Sequence, residues 1–168
     1  MAQGTSPVRA WTGTIVFLFL APGVVAGLVP WMITGWRPYG WGAAWPVVLL
    51  AWIVIAAGVV VLLHAFALFA LHHGTPAPVV PTRTLVVNGT YRYVRNPMYL
   101  AVFSIILGQA LLFASWGVVI YALITMAVVV AFVKGYEEPT LTETYGGQYL
   151  DYQRNVPGWW PRITPWRG

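Results

Sequence analysis

The chain has 168 residues, of which 59% are hydrophobic and 8% are charged, and its formal net charge is +5. Soluble domains carry about 25% charged residues, so this composition excludes a water-soluble globular enzyme and indicates one compact domain, residues 1–168, in a lipid bilayer. The absence of cysteine excludes a disulfide framework, a thiolate metal site and a cysteine nucleophile. The small, scattered positive charge indicates orientation in a membrane rather than binding of nucleic acid.

Charge-free stretches predict four membrane-spanning helices, because a charge at the bilayer centre is unfavourable. The first two are expected at about residues 11–33 and 45–71. As a single helix, the uncharged stretch 96–133 would be about 57 Å long, nearly twice the hydrocarbon thickness of ~30 Å. It is therefore expected to form a hairpin of two helices, at about 97–114 and 117–133.

Proline, serine and glycine residues predict two further features of these spans. Pro22 and Pro30 predict kinks in the first span, since proline removes a helical hydrogen bond. Ser115-Trp116-Gly117 is the expected turn of the hairpin. The fold class is thus an all-α integral membrane protein with four transmembrane helices, the last two of which form a helical hairpin.

The distribution of Lys and Arg predicts the orientation, since basic residues concentrate on the cytoplasmic side. Eight of the nine basic side chains fall on the side of the two termini, and Arg37 falls on the other. Both termini are therefore expected in the cytoplasm, with the chain in the inner membrane of a bacterium or the endoplasmic reticulum of a eukaryote. The cytoplasmic segments 72–96 and 134–168 flank the hairpin, so they should meet at one membrane face, where the functional site is expected.

The first cytoplasmic segment ends in a turn signal and a helix start. Asn88-Gly89, between β-favouring residues, predicts a tight two-residue turn. Asn96-Pro97 predicts the start of a helix, with Asn as the N-cap and Pro in the first position. Beside Arg92 and Arg95, this helix N-terminus is suited to bind an anion; alternatively, the two arginines serve as anchors to anionic lipid headgroups.

The second cytoplasmic segment contains all four acidic residues of the chain, among them the adjacent pair Glu137-Glu138. Two carboxylates at the C-terminal end of a spanning helix oppose its dipole, so a cation is expected beside them: Arg92, Arg95 or a bound ligand. A solvated helix end is the alternative. The aromatic stretch from Tyr145 to Trp160 predicts a short interfacial helix or an inert anchor.

The histidines do not predict a metal site. His64 and His72 would lie about 12 Å apart along a helix, which is too far to ligate one ion directly. An interhelical hydrogen bond is the commoner role of a histidine within a span. No Ser/His/Asp set, phosphate-binding loop or zinc motif is present.

Three motifs of the C-terminal half resemble, in order and spacing, the isoprenylcysteine carboxyl methyltransferase and phospholipid methyltransferase superfamily of integral membrane enzymes. The family stretch G-x-Y-x-x-x-R-H-P-x-Y reads here Gly89-Thr-Tyr-Arg-Tyr-Val-Arg-Asn-Pro-Met-Tyr99. The family's glutamate pair is Glu137-Glu138. Its Gly-x-x-Tyr-x-x-Tyr tail before Val-Pro reads Gly146-Gly-Gln-Tyr-Leu-Asp-Tyr152 before Val156-Pro157. The resemblance covers residues 81–161.

The resemblance implies S-adenosylmethionine-dependent methyl transfer to a lipophilic acceptor, either a prenylcysteine-type carboxylate or a lipid amine. The carboxylate of that cofactor suits a helix N-terminus and arginine, whereas its sulfonium and amine suit carboxylates and aromatic rings. No metal is implied. Carried over by position, the cofactor-binding residues are Arg83, Thr84, Leu85, Val86, Tyr91, Asn96, Pro97, Met98, Tyr99 and Glu137.

The chain departs from the family pattern at two positions. Asn96 replaces the family histidine, which keeps hydrogen bonding but removes a titratable group, so this residue is not expected to act as a general base. Val133 stands where carboxyl methyltransferases have a substrate-positioning arginine, so another cation would have to substitute. An in-line SN2 displacement needs no protein nucleophile, although an amine acceptor must first lose a proton. The candidates for acceptor chemistry are Glu138 as the base, with Arg95, Lys134 and Arg154.

Two other function classes remain open. A small structural or transport-type membrane protein would place polar side chains along a central path, and the spans offer few: His64, Ser104 and Gln109. A membrane reductase on a related hairpin scaffold would reduce an added substrate with NADPH and transfer no methyl group.

Overall fold

The structure is a computed structural model that describes residues 19–37, 44–71 and 85–167. Within these ranges the protein is helical and contains no strand, which confirms the all-α class. In chain order, the elements are α1 (a π turn, Val24–Leu28, continued by Val29–Thr34), α2 (Trp45–Leu71), a 3₁₀ turn (Gly89–Arg92), α3 (Pro97–Leu112), α4 (Trp116–Phe132), a second π turn (Val133–Glu137), α5 (Glu138–Tyr145) and α6 (Gly147–Asn155).

Two helices are long and apolar enough to cross a membrane, Trp45–Leu68 and the continuous helix Trp116–Tyr145. Two shorter apolar helices, Val24–Thr34 and Pro97–Leu112, overlap the other predicted spans. Residues 11–18 of the first predicted span lie outside the described residues. The presence of long apolar helices is therefore confirmed, and the number of spans stays a prediction.

Helices α2 and α3 pack antiparallel through glycines that allow their backbones to approach closely. A Cβ atom at Gly58 would lie 2.9 Å from the carbonyl oxygen of Ala101, and one at Gly108 would lie 3.0 Å from that of Ala51. Small residues at such crossings are typical of helix pairs in membranes, where van der Waals packing drives association. This helix pair carries the loop before α3, and with it one half of the candidate site.

Side chains of the hairpin bind two backbone carbonyls of α1 in the turn before Pro30. Proline has no N–H, so Pro30 donates neither to Ala26 O, its partner in an α turn, nor to Val25 O, its partner in a π turn. The Tyr121 hydroxyl donates to Val25 O at 2.8 Å, and Gln109 Nε2 donates to Ala26 O at 2.6 Å. Because an unsatisfied carbonyl is costly in hydrocarbon, these bonds dock α1 onto the hairpin.

The second helix of the hairpin extends further than the sequence predicts. Instead of ending near Val133, it continues through the π turn Val133–Glu137 into α5 and ends at Tyr145. The expectation that the glutamate pair lies at a helix C-terminus, against the helix dipole, is therefore wrong. As in α1, the π turn ends two residues before a proline, here Pro139, so that the helix absorbs the missing N–H without breaking.

The turn at Asn88-Gly89 also differs from its prediction. It opens a 3₁₀ turn, and the described residues before it, 85–88, form no strand. Gly89 has a φ of +54°, and a Cβ there would collide with the His64 imidazole on α2. Glycine is thus required by the backbone conformation and by the close approach to α2.

Candidate active site

The loop before α3 and the C-terminal segment meet at one end of the helices, as predicted for the two polar segments. Residues 156–167, which follow α6 and are called the strap below, fold back along residues 92–95. Three backbone N–H groups donate across this junction: Arg95 to Pro157 O (3.0 Å), Arg162 to Tyr93 O (2.9 Å) and Trp166 to Arg92 O (2.9 Å).

Arg95 ties the strap to α5 and α6. Its guanidinium donates to the Glu138 carboxylate at 2.7 Å, to the Tyr149 hydroxyl at 3.1 Å and to the Val156 carbonyl at 2.9 Å. The Arg95–Glu138 contact is the one ion pair among the described residues. The expectation that a cation compensates the glutamate pair is thus confirmed, with Arg95 as the cation and Glu138 as its partner.

Glu137 has a different environment from its neighbour. Its carboxylate accepts a hydrogen bond from the Tyr99 hydroxyl at 2.8 Å and, among the described residues, takes part in no ion pair. A buried carboxylate is unfavourable unless it is paired or hydrogen-bonded. Glu137 therefore has capacity left for a cationic ligand.

A cavity of about 180 Å³, called the inner cavity below, extends from Glu137 between the helices. One end is polar, with the side chains of Tyr91, Arg95, Asn96 and Tyr99 beside that carboxylate. The other end is lined by all four long helices and is apolar apart from Thr125: its members include Pro22, Val25, Leu62, Phe66, Phe103, Met126 and Val129. The inner cavity thus joins a charged end to a hydrocarbon-like end.

The amide of Asn96 is an unsatisfied group at the polar end. The residue is 7% exposed, and its Nδ2 has no hydrogen-bond partner among the described residues. Asn96 and Pro97 occupy the predicted N-cap and first positions of α3, but the side chain makes no capping bond. A buried donor without a partner costs about 1–3 kcal/mol, so this amide is available to an acceptor on a ligand.

Three tyrosines beneath the strap hold the site together. Burial raises the pKa of Tyr91 and of Tyr152 above the ordinary value for a phenol. Burial also raises the pKa of Tyr149, although the Arg95 guanidinium opposes this shift. All three phenols stay protonated at neutral pH, and the Tyr152 hydroxyl donates to Tyr91 O at 2.6 Å. The Gly-x-x-Tyr-x-x-Tyr motif therefore fixes the loop before α3 through its tyrosine side chains.

The structure brings together at the inner cavity six of the twelve predicted cofactor and acceptor residues that it describes. Those that line the inner cavity are Tyr91, Arg95, Asn96, Met98, Tyr99 and Glu137. Glu138 lies behind Arg95, and its second oxygen accepts a bond from Gln153 Nε2 at 3.3 Å.

The remaining predicted residues lie elsewhere. Leu85 packs against the tyrosine cluster, and Val86 is buried. Pro97 faces away from the inner cavity, on the other side of α3. Lys134 and Arg154 are exposed and do not line the cavity. Arg83 and Thr84 lie outside the described residues.

Sequence reasoning missed the apolar half of the cavity and one strap residue. Nothing in the apolar spans marks Phe66, Thr125 or Val129 as cavity residues, because neighbouring positions are equally hydrophobic. Trp159 packs beside Tyr99, with ring centroids 6.5 Å apart. Its position next to the Val-Pro end of the tail motif was the available signal.

The chain matches the sequence model of a known protein family. The sequence model of a family described as phospholipid methyltransferase matches residues 48–148, more than half of the chain. The matched range contains the polar end of the inner cavity and ends before the strap. No curated protein matches the chain.

Proposed function

The chain belongs to the phospholipid methyltransferase family, which makes it a membrane methyltransferase acting on lipid, and from this premise we propose that it uses S-adenosylmethionine. In this proposal the chain is one domain with four spans and both termini in the cytoplasm. The acceptor is a lipophilic molecule with a nucleophilic head, either a prenylcysteine-type carboxylate or a lipid amine.

The proposal rests on one observation: the inner cavity has both a polar end and an apolar end. Glu137, Arg95 and Asn96 supply charge and a free hydrogen-bond donor at one end, and apolar side chains of all four long helices line the other. Such a cavity suits a polar cofactor that enters from the aqueous face and an acceptor tail that enters from the bilayer. A cavity for a water-soluble substrate would need no apolar end between helices.

The polar end fits S-adenosylmethionine by its chemistry. The Glu137 carboxylate suits the amine or the sulfonium, and the unpartnered Asn96 amide at the start of α3 suits the carboxylate. The rings of Tyr91 and Tyr99 add aromatic faces, which attract cations. When bound, S-adenosylmethionine supplies an electrophilic methyl group. Met98 also lines the cavity and would contact the cofactor, whereas Leu85, Val86 and Pro97 would act by shaping the loop and helix around it. Arg83 and Thr84 stay predicted cofactor-binding residues.

Acceptor chemistry falls to the residues nearest Glu137. Arg95 is the cation that lines the cavity, so it would orient an acceptor carboxylate, whereas Lys134 and Arg154 could act only from the exposed surface. Both oxygens of Glu138 are engaged, one by Arg95 and one by Gln153. We therefore assign Glu138 a positioning role through Arg95 rather than the role of a free base.

The chain's own contribution to a direct in-line displacement would be orientation and exclusion of water. The apolar walls hold the acceptor tail, and the polar end fixes the line along which the nucleophile approaches. No protein nucleophile is needed.

The proposal is tested by calorimetric titration of S-adenosylmethionine and of its demethylated product into the purified protein, in detergent and in lipid nanodiscs. We expect saturable binding by the unchanged chain and at least tenfold weaker binding by Glu137→Gln, because the variant loses the carboxylate that faces the cation. Glu143→Gln is the matched control, since Glu143 is exposed on α5 and should bind normally.

A radiolabelled methyl-transfer screen of lipid extracts then identifies the acceptor. Absence of binding by a demonstrably folded sample in both media would contradict the proposal. Reduction of an added substrate with NADPH would then favour the reductase, and neither activity would favour a non-catalytic protein.

A further inference from the structure

A second cavity lies on the face of α3 that points away from the inner cavity. It measures about 290 Å³ and is called the outer groove below. Ala57 and Val61 of α2 form one wall, Leu100 and Ser104 of α3 form the other, and Pro161 of the strap lies at its mouth. The two cavities share no lining residue.

The outer groove is suited to a hydrocarbon chain. Most of its lining is apolar, and the Ser104 hydroxyl is satisfied within its own helix by a bond to Leu100 O at 2.8 Å. From Pro97 to Ser104 the groove follows α3 for about 10 Å at 1.5 Å per residue. Ala57 on its wall is exposed on the apolar helix α2, so the groove opens on the side where lipid would lie.

The mouth of the groove neighbours two arginines and contains one buried hydroxyl without a partner in the described part of the chain. Tyr93 lines the mouth and follows Arg92, and Arg162 follows Pro161 and donates its N–H to Tyr93 O. Arg92 Nε donates to Trp166 O and Arg162 Nη1 donates to Asn155 O, but neither guanidinium has an acidic partner among the described residues. The Thr90 Oγ1 atom, on another residue of the groove, is buried without a hydrogen-bond partner in the described part of the chain.

The strap around this mouth is both cationic and apolar. Its residues, 156–167, include arginines but no acidic residue. Trp160 is 81% exposed and Ile163 is 99% exposed, on either side of Pro161 and Arg162. Exposed aromatic and aliphatic side chains interleaved with arginine are typical of a segment at the interface of an anionic membrane.

We propose that the outer groove and the strap bind one anionic phospholipid, with an acyl chain in the groove and the phosphate at Arg92 and Arg162. Each guanidinium lacks an acidic partner among the described residues and has N–H groups beyond the one that binds a backbone carbonyl, so both would complement the phosphate. The Thr90 hydroxyl would donate to an ester or phosphate oxygen at the mouth. This lipid is separate from the methyl acceptor, because α3 lies between the two cavities. The inference does not depend on methyl transfer.

The test is native mass spectrometry of the purified chain with phosphatidylglycerol or phosphatidylcholine of identical acyl chains. We expect one retained lipid and a preference for phosphatidylglycerol on the order of tenfold, since each basic residue near an anionic surface contributes about a factor of five. The double variant Arg92→Gln/Arg162→Gln should lose this preference. Arg37→Gln removes an exposed cation that lies outside the strap and should keep it.

The groove itself is tested by filling it. Ala57→Trp should lower retention of both lipids, whereas Ala56→Trp, at an exposed neighbour that does not line the groove, should not. Arg92 Nε also donates to Trp166 O at 2.6 Å, so the glutamine variant loses both a charge and a bond that holds the strap. The variant Arg92→Lys/Arg162→Lys loses this bond but keeps the charge, and so distinguishes the two effects. This lysine variant should keep the preference for the anionic lipid.

Three results would overturn the proposal. One is equal retention of the two lipids by the unchanged chain, and another is normal retention by Ala57→Trp. The third is a dimer that Ala57→Trp dissociates, which would assign the groove to a second copy of the chain. Because the assay contains no S-adenosylmethionine, none of these results bears on the proposed enzymatic function.

Discussion

The inner cavity and the outer groove lie on opposite faces of the same helix, and they differ in charge. Glu137 and Arg95 line the inner cavity, whereas no charged side chain lines the outer groove, whose arginines neighbour its mouth. The contiguous motif Asn96-Pro-Met-Tyr99 is divided between them, since Pro97 faces outward and its other members face inward. Adjacent residues of a motif can therefore line different cavities, because they lie on different faces of the helix.

The largest expected effect comes from filling the apolar end of the inner cavity. Val129→Trp should reduce methyl transfer to a lipophilic acceptor by a factor of about 100, because the tail loses its space and the head is misplaced. The affinity for S-adenosylmethionine should change less than threefold, since the polar end is untouched. Radiolabel transfer and calorimetry measure the two quantities.

Val128→Trp is the matched control for this experiment, because Val128 is 62% exposed on the same helix. Equal loss of transfer in the two variants would show that the apolar end does not hold the acceptor. Retention of phosphatidylglycerol by Val129→Trp should remain normal, which keeps the two cavities distinct.

A second comparison uses two buried side-chain amides: that of Asn96 has an unpartnered Nδ2, and that of Gln109 donates to a backbone carbonyl. Asn96→Leu should weaken S-adenosylmethionine binding about tenfold without loss of stability, because Nδ2 has no partner among the described residues. Gln109→Leu should lower the free energy of unfolding by about 1–3 kcal/mol and leave binding unchanged, because Gln109 satisfies Ala26 O. Denaturation and calorimetry distinguish them, and a stability loss in Asn96→Leu would contradict the assignment.

The smallest effect is expected from single hydroxyls. Tyr99→Phe should weaken S-adenosylmethionine binding about threefold, since it removes the bond that orients the Glu137 carboxylate while keeping the ring. Ser104→Ala in the outer groove should change neither cofactor nor lipid binding, because that hydroxyl is bonded to its own helix. A larger loss of S-adenosylmethionine binding in Ser104→Ala than in Tyr99→Phe would contradict the assignment of these hydroxyls to separate cavities.

Much of the candidate site could be predicted from sequence because its residues stand in ordered motifs between charge-free stretches. The meeting of the two polar segments followed from the hairpin alone. Yet Arg92 and Arg95 were equivalent as partners of the glutamates, and tertiary contacts from Tyr149 and Val156 select Arg95.

Two kinds of feature escaped prediction for physical reasons. In a helix surrounded by lipid, both faces are apolar, so hydropathy does not separate Val129, which lines the inner cavity, from exposed Val128. The predicted end at 133 follows from Lys134, the first charge after the uncharged stretch, but the π turn Val133–Glu137 lets the helix continue to Tyr145. The Asn88-Gly89 pair predicts a tight turn between strands from local sequence alone. In the structure it opens a 3₁₀ turn that packs against His64 on α2, a tertiary contact that the local sequence does not reveal.

The junction between the strap and the loop before α3 has a consequence for variation among related chains. Three of its bonds join backbone to backbone, and two more run from the side chains of Arg92 and Arg95 to strap carbonyls. None of these five bonds depends on a side chain of the strap. The strap also lies beyond residue 148, where the family match ends. Trp160, Arg162 and Ile163 can accordingly be exchanged to suit a membrane of another thickness or charge while the backbone pairing beside Arg95 and Asn96 is retained.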